Sequence, residues 1–298
     1  QCCWPSAPQA GASPAACSAC SDRPLMVELA AVGFVFFAGL VTAVATGIGA
    51  VPFFLVDEVS DRTNVILWGF ASGIMVAASV FGLLFEAITP HLPGAIPPRV
   101  IVLLLVGAGL GAILVWVAHR VIAGAQVDPG AFTEADYRKL LVILGILTVH
   151  SFPEGVAVGV AFADLGVAGG TPILGLTVPI LAIFMTIAIS IHNIPEGVAI
   201  SIPLRSMGVS PWGMVWWSIF SSLPQPFGAV LAFGFVRIAR DLLPAGFGFA
   251  AGAMVFLVAT EFIPEARAVG ADLPGGGHRE LVGGFVLGVA TMLPLVVV

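Results

Sequence analysis

Charged residues are scarce in this chain of 298 residues, where Asp, Glu, Lys and Arg together make up 9% of the composition. Hydrophobic residues make up 59%, and the mean hydropathy is +1.08. This composition lies outside the range of soluble domains and indicates a protein of the lipid bilayer. The sequence also has no nucleotide-binding motif, no long histidine-rich insert and no soluble domain, so we expect one membrane domain and no nucleic-acid partner.

Cysteine occurs only in the first 22 residues, at Cys2, Cys3, Cys17 and Cys20. Cys17 and Cys20 have the spacing of a metal-binding or disulfide pair, but a single pair of this kind is weak evidence for either. The surrounding sequence is rich in Pro, Ala and Ser and predicts no fold. We therefore expect a disordered Cys-containing tail over residues 1–22 and a transmembrane domain over residues 23–298.

Long apolar stretches predict eight membrane-spanning helices, because about 18 to 25 such residues cross the hydrocarbon core of a bilayer. The predicted spans cover about residues 26–50, 65–86, 99–123, 140–164, 172–200, 211–236, 245–266 and 281–298. The expected fold class is therefore an all-α polytopic membrane protein.

The basic residues predict how the chain is oriented. Seven of the 11 Lys and Arg residues fall in the loops of one side, at Arg62, Arg120, Arg138, Lys139, Arg205, Arg267 and Arg279. Because cytoplasmic loops carry an excess of basic residues, we expect a multi-pass protein of the cell (inner) membrane with both termini outside.

An octapeptide of the second span recurs in the seventh. Residues 69–76 are Gly-Phe-Ala-Ser-Gly-Ile-Met-Val and residues 248–255 are Gly-Phe-Ala-Ala-Gly-Ala-Met-Val, so six of eight positions are identical. Spans five apart cross in opposite directions, and the match therefore predicts inverted repeats of spans one to three and six to eight, a 3+2+3 arrangement typical of transporters. The alternative is a chance recurrence of small residues that allow close helix packing.

A phrase with His and Glu is also present twice. Residues 150–157 are His-Ser-Phe-Pro-Glu-Gly-Val-Ala and residues 192–199 are His-Asn-Ile-Pro-Glu-Gly-Val-Ala. A His and a Glu four residues apart share a helix face, so two packed helices would direct two imidazoles and two carboxylates to one spot. Each Pro also frees a backbone carbonyl, which is tolerated at membrane depth beside a cavity.

Energetics favour a metal site at the duplicated phrase. An isolated carboxylate near the bilayer centre costs on the order of 2.5–3.5 kcal/mol, so two of them require a cation. Imidazole with carboxylate suits Zn²⁺, whereas a Ca²⁺ or Mg²⁺ site would contain only oxygen. The alternatives are buried histidines and protonated glutamates that merely join helices, or an intramembrane metalloenzyme, which would lack a general base and the His-Glu-x-x-His string.

With these motifs the chain resembles the ZIP (Zrt- and Irt-like) divalent metal transporters, and their prokaryotic GufA-like branch, over about residues 26–298. The resemblance rests on both His/Glu phrases, on Thr46-Gly47-Ile48-Gly49-Ala50 and on Ala71-Ser72-Gly73-Ile74-Met75. It implies a transporter rather than an enzyme, with eight helices in the 3+2+3 arrangement and a site between spans two, four and five. It also implies a homodimer that takes Zn²⁺ or Fe²⁺ into the cytoplasm.

By motif position, the resemblance implies that the metal ligands are His150, Glu154, His192, Glu196 and Met75. A methionine in a helix often only fills the core, and that alternative stays open for Met75. The expected cargo is Zn²⁺, and the same ligands could hold Fe²⁺, Mn²⁺, Co²⁺ or Cd²⁺.

The resemblance also implies that many members of this branch hold a second metal beside the first, bound by the residue after each His and an acid of the sixth span. Here these positions are Ser151, Asn193 and Gln225. These side chains bring no negative charge, so a second ion would be repelled by the first. We therefore expect a mononuclear site, with Ser151, Asn193 and Gln225 supporting it or lying along the ion path.

Glu261 and Glu265 repeat the spacing of four residues near the end of the seventh span and are candidates for the ion pathway or for a helix cap. His91, His119 and His278 have no partner at ligand spacing and are expected in loops or interfaces.

The expected mechanism is alternating access, in which one repeat bundle rocks past spans four and five. A channel-like conduit is the alternative, because sequence does not encode whether both gates open together.

Overall fold

The computed structural model describes residues 14–56, 58–124, 134–166 and 170–297, and these residues are mostly helical. The helices of the first half are α1 (Pro14–Ile48), α2 (Asp61–Ala77), α3 (Phe85–Ile88), α4 (Pro98–Gly124) and α5 (Glu134–Ala161). Those of the second half are α6 (Ile180–Ser206), α7 (Pro211–Ser222), α8 (Pro224–Ile238), α9 (Leu243–Leu257), α10 (Ile263–Val269) and α11 (His278–Val297). Two antiparallel strands, β1 (Thr171–Ile173) and β2 (Leu176–Val178), form a hairpin between α5 and α6.

Six helical stretches of the described residues are long and apolar enough to cross a membrane. They are Glu28–Ile48, Asp61–His91, Pro98–Val121, Ile180–Arg205, Pro211–Ile238 and Arg240–Val269. These overlap six of the eight predicted spans. Helices α5 and α11 occupy the fourth and eighth predicted windows but are not among the six, so the full set of eight spans stays a prediction. Val298, at the end of the eighth window, lies outside the described residues.

The N-terminal segment is described only from Pro14 onwards. Helix α1 begins there and contains Cys17 and Cys20 in its first turns. Cys2 and Cys3 lie outside the described residues, and the division of the chain at residue 22 stays a prediction.

The fifth predicted span has the wrong bounds. Helix α6 begins at Ile180, not at about residue 172, and continues to Ser206. The preceding residues form the β hairpin, which turns at Leu174 and Gly175, both with positive φ (48° and 82°). Apolar composition alone does not distinguish a strand from a helix, and Gly175 with Pro179 interrupts this stretch. The hairpin is therefore an addition to the predicted all-α class.

The sixth predicted span is two helices in tandem. Helix α7 starts with a Ser210 cap, whose Oγ accepts a hydrogen bond from the Gly213 amide at 3.3 Å. It ends at Ser222, and α8 begins at Pro224. Proline has no N–H and clashes with the preceding turn, so it can begin a helix but rarely continues one. The break places Gln225 in the first turn of α8.

The helices pack in two groups. In the first, α4 packs mainly against α9 and α2 packs mainly against α11. In the second, α5 packs mainly against α8, and α1 packs against α6, α8 and α7. Contacts of α2 with α6 and of α5 with α9 join the groups.

Glycines determine how closely the helices of the first group approach. A Cβ atom on Gly73 of α2 would collide with the Phe285 carbonyl of α11, and one on Gly252 of α9 would collide with Ala108 of α4. Small residues of this kind let two membrane helices touch backbone to backbone. Gly73 and Gly252 are equivalent positions of the duplicated octapeptide, so each copy allows a close backbone contact in a different helix pair.

Each copy of the octapeptide also leads into a π-helical segment. Helix α2 continues as a π-helix over Ala78–Leu84, and α9 continues as a π-helix over Val258–Phe262. A π turn inserts a residue and changes the direction of the side chains that follow, and such turns are frequent at functional sites. The likeness of the two segments therefore extends from sequence to backbone conformation.

Two glycines of α4 provide a matched test of this packing. Gly111→Ala should destabilise the fold by about 1–3 kcal/mol, because its Cβ would collide with the Phe249 carbonyl of α9. Gly109→Ala on the same helix meets no atom within 4 Å and should be neutral or stabilising by up to about 1 kcal/mol. The measurement is the thermal unfolding midpoint of both variants in detergent. Equal midpoints would contradict the proposed role of the close contact.

Candidate metal centre

Three predicted ligands meet between α5 and α6. Glu154 comes from α5, and His192 and Glu196 come from one face of α6. One ligand atom from each of the three residues lies within 4.8 Å of the others. All three side chains are buried, with at most 1% of their surface exposed. The spacing of four residues in the sequence thus brings imidazole and carboxylate together, as predicted for α6.

The ligand atoms of this cluster lack hydrogen-bond partners among the described residues. They are Oε1 of Glu154, Nε2 of His192 and both carboxylate oxygens of Glu196. The His192 Nε2 atom lies 3.3 Å from the Glu154 Oε1 atom, without hydrogen-bond geometry. Buried polar atoms are nearly always satisfied, so four unsatisfied ones on three neighbouring side chains fit a cation. The donor set of nitrogen and carboxylate oxygen is one that Zn²⁺ accepts.

His192 is held in an orientation that directs Nε2 to the cluster. Its Nδ1 atom lies 3.3 Å from the backbone oxygen of Ile189. Its ring stacks on the buried Phe262 ring, with centroids 6.1 Å apart and an angle of 21° between the planes. Phe262 in turn contacts Trp68 edge to face at 4.8 Å. The second π-helical segment therefore supplies one wall of the site.

His150 and Met75 are both buried, with 4% and 1% of their surface exposed. His150 lies one helical turn before Glu154 on α5, and its Nδ1 atom has no hydrogen-bond partner within the described structure. It is not part of the three-residue cluster. Met75 lies at the end of α2, packed in the main apolar core. Their roles as ligands stay predictions.

The three positions expected to support the site are completely buried. The Gln225 Nε2 atom donates a hydrogen bond of 2.6 Å to Oε2 of Glu154. Asn193 Nδ2 donates to Oε1 of Gln225 at 3.2 Å and to the Thr42 backbone oxygen at 2.7 Å. Ser151 follows His150 on α5. The two amides therefore contact the cluster and each other.

Glu261 and Glu265 differ in their surroundings. Glu261 belongs to the second π-helical segment and its carboxylate contacts the His119 Nδ1 atom of α4. Glu265 is exposed. His119, expected in a loop or an interface, lies in α4 and pairs with a carboxylate of another helix. No spacing along the sequence signals this pair, nor the stacking of Phe262 on His192, because both arise only from tertiary packing.

Comparison with known protein families identifies the chain. The family model described as ZIP zinc transporter matches residues 125–295, which is more than half of the chain and includes both His/Glu phrases. The chain belongs to the ZIP zinc transporter family. The family consists of transporters, not enzymes, so the metalloenzyme alternative is excluded. The described apolar helices agree with a multi-pass membrane protein.

Individual ZIP relatives align over much of the chain. It is 29% identical to the zinc transporter GufA of Myxococcus xanthus over 261 residues, 87% of this chain and 96% of that protein. It is 31% identical to the zinc transporter ZIPB of Bordetella bronchiseptica over 257 residues, 80% of this chain and 74% of that protein. It is 39% identical over 229 residues to an Arabidopsis thaliana protein named as a candidate zinc transporter, but spans only 33% of that longer protein.

Replacing the ring that stacks on His192 tests the geometry of the centre. Phe262→Leu keeps an apolar side chain but lets the imidazole tilt, and we expect Zn²⁺ affinity to fall by about two- to tenfold, the scale of one aromatic pair. Phe235→Leu, at an exposed position of α8, is the matched control and should bind like the wild type. The measurement is competition for Zn²⁺ with a chromophoric chelator. If both variants bound Zn²⁺ with equal affinity, the Phe262 ring would not orient His192 for the ion.

Proposed function

We propose that this chain transports Zn²⁺ across a membrane and that the ion binds between α5 and α6 at Glu154, His192 and Glu196. The observation that carries the proposal is the set of four buried ligand atoms without hydrogen-bond partners in the described part of the chain. Burying such groups bare would be costly, and a divalent cation satisfies them together. The relatives GufA and ZIPB are both named zinc transporters, which supports Zn²⁺ as the cargo.

The complete ligand set proposed adds His150 and Met75 to these three residues. The open Nδ1 atom of His150, one turn from Glu154, supports its inclusion. Four ligands suffice for Zn²⁺, so Met75 would be a further, softer ligand contributed by α2. We propose a mononuclear site, because Ser151, Asn193 and Gln225 bring no charge to balance a second ion.

For the membrane domain, residues 23–298, we propose eight spans in the 3+2+3 arrangement. Three observations support inverted repeats: the duplicated octapeptide, the π-helical segment after each copy, and the reciprocal packing of α2 with α11 and of α4 with α9. In an inverted repeat the second and eighth spans correspond to the seventh and third, so these two helix pairs are equivalent. The homodimer rests on the family resemblance alone.

Transport is proposed to proceed by alternating access, with the two packing groups as the units that move. The tightest contacts join helices from different repeats, which disfavours a repeat bundle that rocks as a unit. Glu154, His192 and Glu196 all belong to the second group, whereas Met75, the proposed further ligand, and Phe262, which stacks on His192, belong to the first. A sliding of one group past the other would carry the ion away from Met75 and Phe262 and open the site.

Glu261 is proposed to lie on the ion pathway near the end of α9. It precedes Phe262, which stacks on the site, and its carboxylate is held by His119. A carboxylate at this position attracts a cation that leaves the centre. Exposed Glu265, one turn further, would be the next acidic group toward solvent.

Uptake of radioactive Zn²⁺ by proteoliposomes tests the proposed function. Wild-type uptake should saturate with Zn²⁺ concentration, and Glu196→Gln should abolish it, because the amide lacks the charge that holds the ion. Glu58→Gln, the same change at an exposed loop residue, should transport normally. Fe²⁺, Mn²⁺, Co²⁺ and Cd²⁺ added as competitors rank the metals. Undiminished uptake by Glu196→Gln would refute the site, and uptake that never saturates would favour a conduit.

The proposed orientation is testable with single cysteines in a variant whose four native cysteines are replaced by serine. With both termini outside, the β hairpin lies outside and the turn between α10 and α11 lies inside. A membrane-impermeant thiol reagent added to intact cells should therefore label Leu174→Cys, at the exposed hairpin tip. It should label Asp272→Cys, also exposed, only after the membrane is permeabilised. The opposite pattern would place the termini in the cytoplasm.

A further inference from the structure

A chain of hydrogen bonds ends on the carboxylate of Glu154. It starts at the backbone oxygen of Thr42 in α1, which accepts from Asn193 Nδ2 of α6 at 2.7 Å. Asn193 Nδ2 also donates to Oε1 of Gln225 in α8 at 3.2 Å, and Gln225 Nε2 donates to Oε2 of Glu154 in α5 at 2.6 Å. The chain therefore crosses all the long helices of the second group.

The Thr42 carbonyl at one end of these hydrogen bonds determines the orientation of both amides. A backbone carbonyl only accepts hydrogen bonds, so Asn193 must turn its NH₂ group toward Thr42. The second hydrogen of that NH₂ group then points to Gln225 and selects its carbonyl oxygen. Only the NH₂ group of Gln225 remains for Glu154, and it donates to Oε2 of that carboxylate. The Thr42 carbonyl therefore determines, through Asn193 and Gln225, that an NH₂ group faces Glu154.

These hydrogen bonds make the two carboxylate oxygens of Glu154 different from each other. Oε2 is occupied by Gln225 at 2.6 Å, whereas Oε1 has no hydrogen-bond partner in the described structure and lies 3.3 Å from His192 Nε2. Gln225 and Asn193 are completely buried, so water does not compete for these contacts. A carboxylate held in this way presents one oxygen to the space shared with His192 and Glu196.

We propose that Gln225, oriented by Asn193 and the Thr42 carbonyl, is a positioning residue that fixes Glu154 with Oε1 directed at the transported ion. This inference rests on the proposed function, because it assigns Glu154 to the ion. Gln225 binds no ion itself in this role. Loss of the Gln225 amide would let the Glu154 carboxylate rotate, whereas every proposed metal ligand of the protein would remain present.

Measurements of Zn²⁺ binding and uptake by the purified full chain test this role. Gln225→Met keeps the side-chain length but donates no hydrogen bond, and it should lower Zn²⁺ affinity by about 10–100-fold, the usual effect of losing a partner that orients a metal ligand. The Zn²⁺ concentration for half-maximal uptake should rise in parallel, with little change in the maximal rate. The matched control is Ser218→Ala on α7, a completely buried residue whose Oγ has no hydrogen-bond partner in the described structure.

A double-mutant cycle separates positioning from general packing. Asn193→Ala should weaken Zn²⁺ binding although Asn193 makes no hydrogen bond to Glu154, and it also serves as the second variant if Gln225→Met does not fold. Because Asn193 acts through Gln225, the double variant should bind no more weakly than Gln225→Met alone. Two independent packing defects would instead multiply their effects on affinity.

The outcomes distinguish this inference from the proposed function. If the wild type binds no Zn²⁺, the proposed function fails. If the wild type binds Zn²⁺ and Glu196→Gln abolishes binding, but Gln225→Met binds like Ser218→Ala, the proposed function stands and the positioning role is refuted. Multiplicative losses in the double variant would also refute it.

Discussion

The burial of two carboxylates and an imidazole between α5 and α6 is the constraint on which the rest of this structure depends. Four of their ligand atoms have no hydrogen-bond partner among the described residues, and an apolar interior does not tolerate bare charge without a cost of several kcal/mol. Contacts around the three side chains offset part of that cost. An amide chain satisfies one oxygen of Glu154, a backbone carbonyl lies near Nδ1 of His192, and an aromatic ring covers the imidazole. The remaining unsatisfied atoms are ones that the proposed divalent cation would satisfy.

The helix packing is consistent with the proposed site. A site of this kind must both hold and release an ion, so it should lie between units that can move. Close glycine contacts tie α2 to α11 and α4 to α9, while the described acidic and imidazole ligands all come from the other group. The site therefore lies where two well-packed units meet, and the π-helical segments place Phe262 and the residues after Met75 at that junction. In the proposed mechanism, movement between the units would separate Glu154, His192 and Glu196 from Phe262 while these three residues stay together.

Much of this arrangement could be predicted from the sequence because its signals are local. Hydropathy located the apolar helices, and the spacing of four residues placed His192 beside Glu196. The β hairpin was missed because an apolar stretch of eight residues suits a strand as well as a helix. Contacts between distant residues gave no signal: Asn193 and Thr42 are 151 positions apart, and His119 meets Glu261 across two helices. The amide positions Asn193 and Gln225 were recognisable as uncharged, but their direction depends on which acceptor each one meets in the folded chain.

The central claim is that the buried His/Glu centre, and no other group of this chain, holds the transported metal. X-ray absorption at the zinc edge of the purified, zinc-loaded protein tests it most directly, because it identifies the atoms bound to the ion. The account predicts a shell dominated by nitrogen and oxygen at about 2.0–2.2 Å, as imidazole and carboxylate give, and loss of that shell in a His192→Ala variant. A shell of sulfur at about 2.3 Å, as the N-terminal cysteines would give, or a spectrum unchanged by His192→Ala, would contradict it.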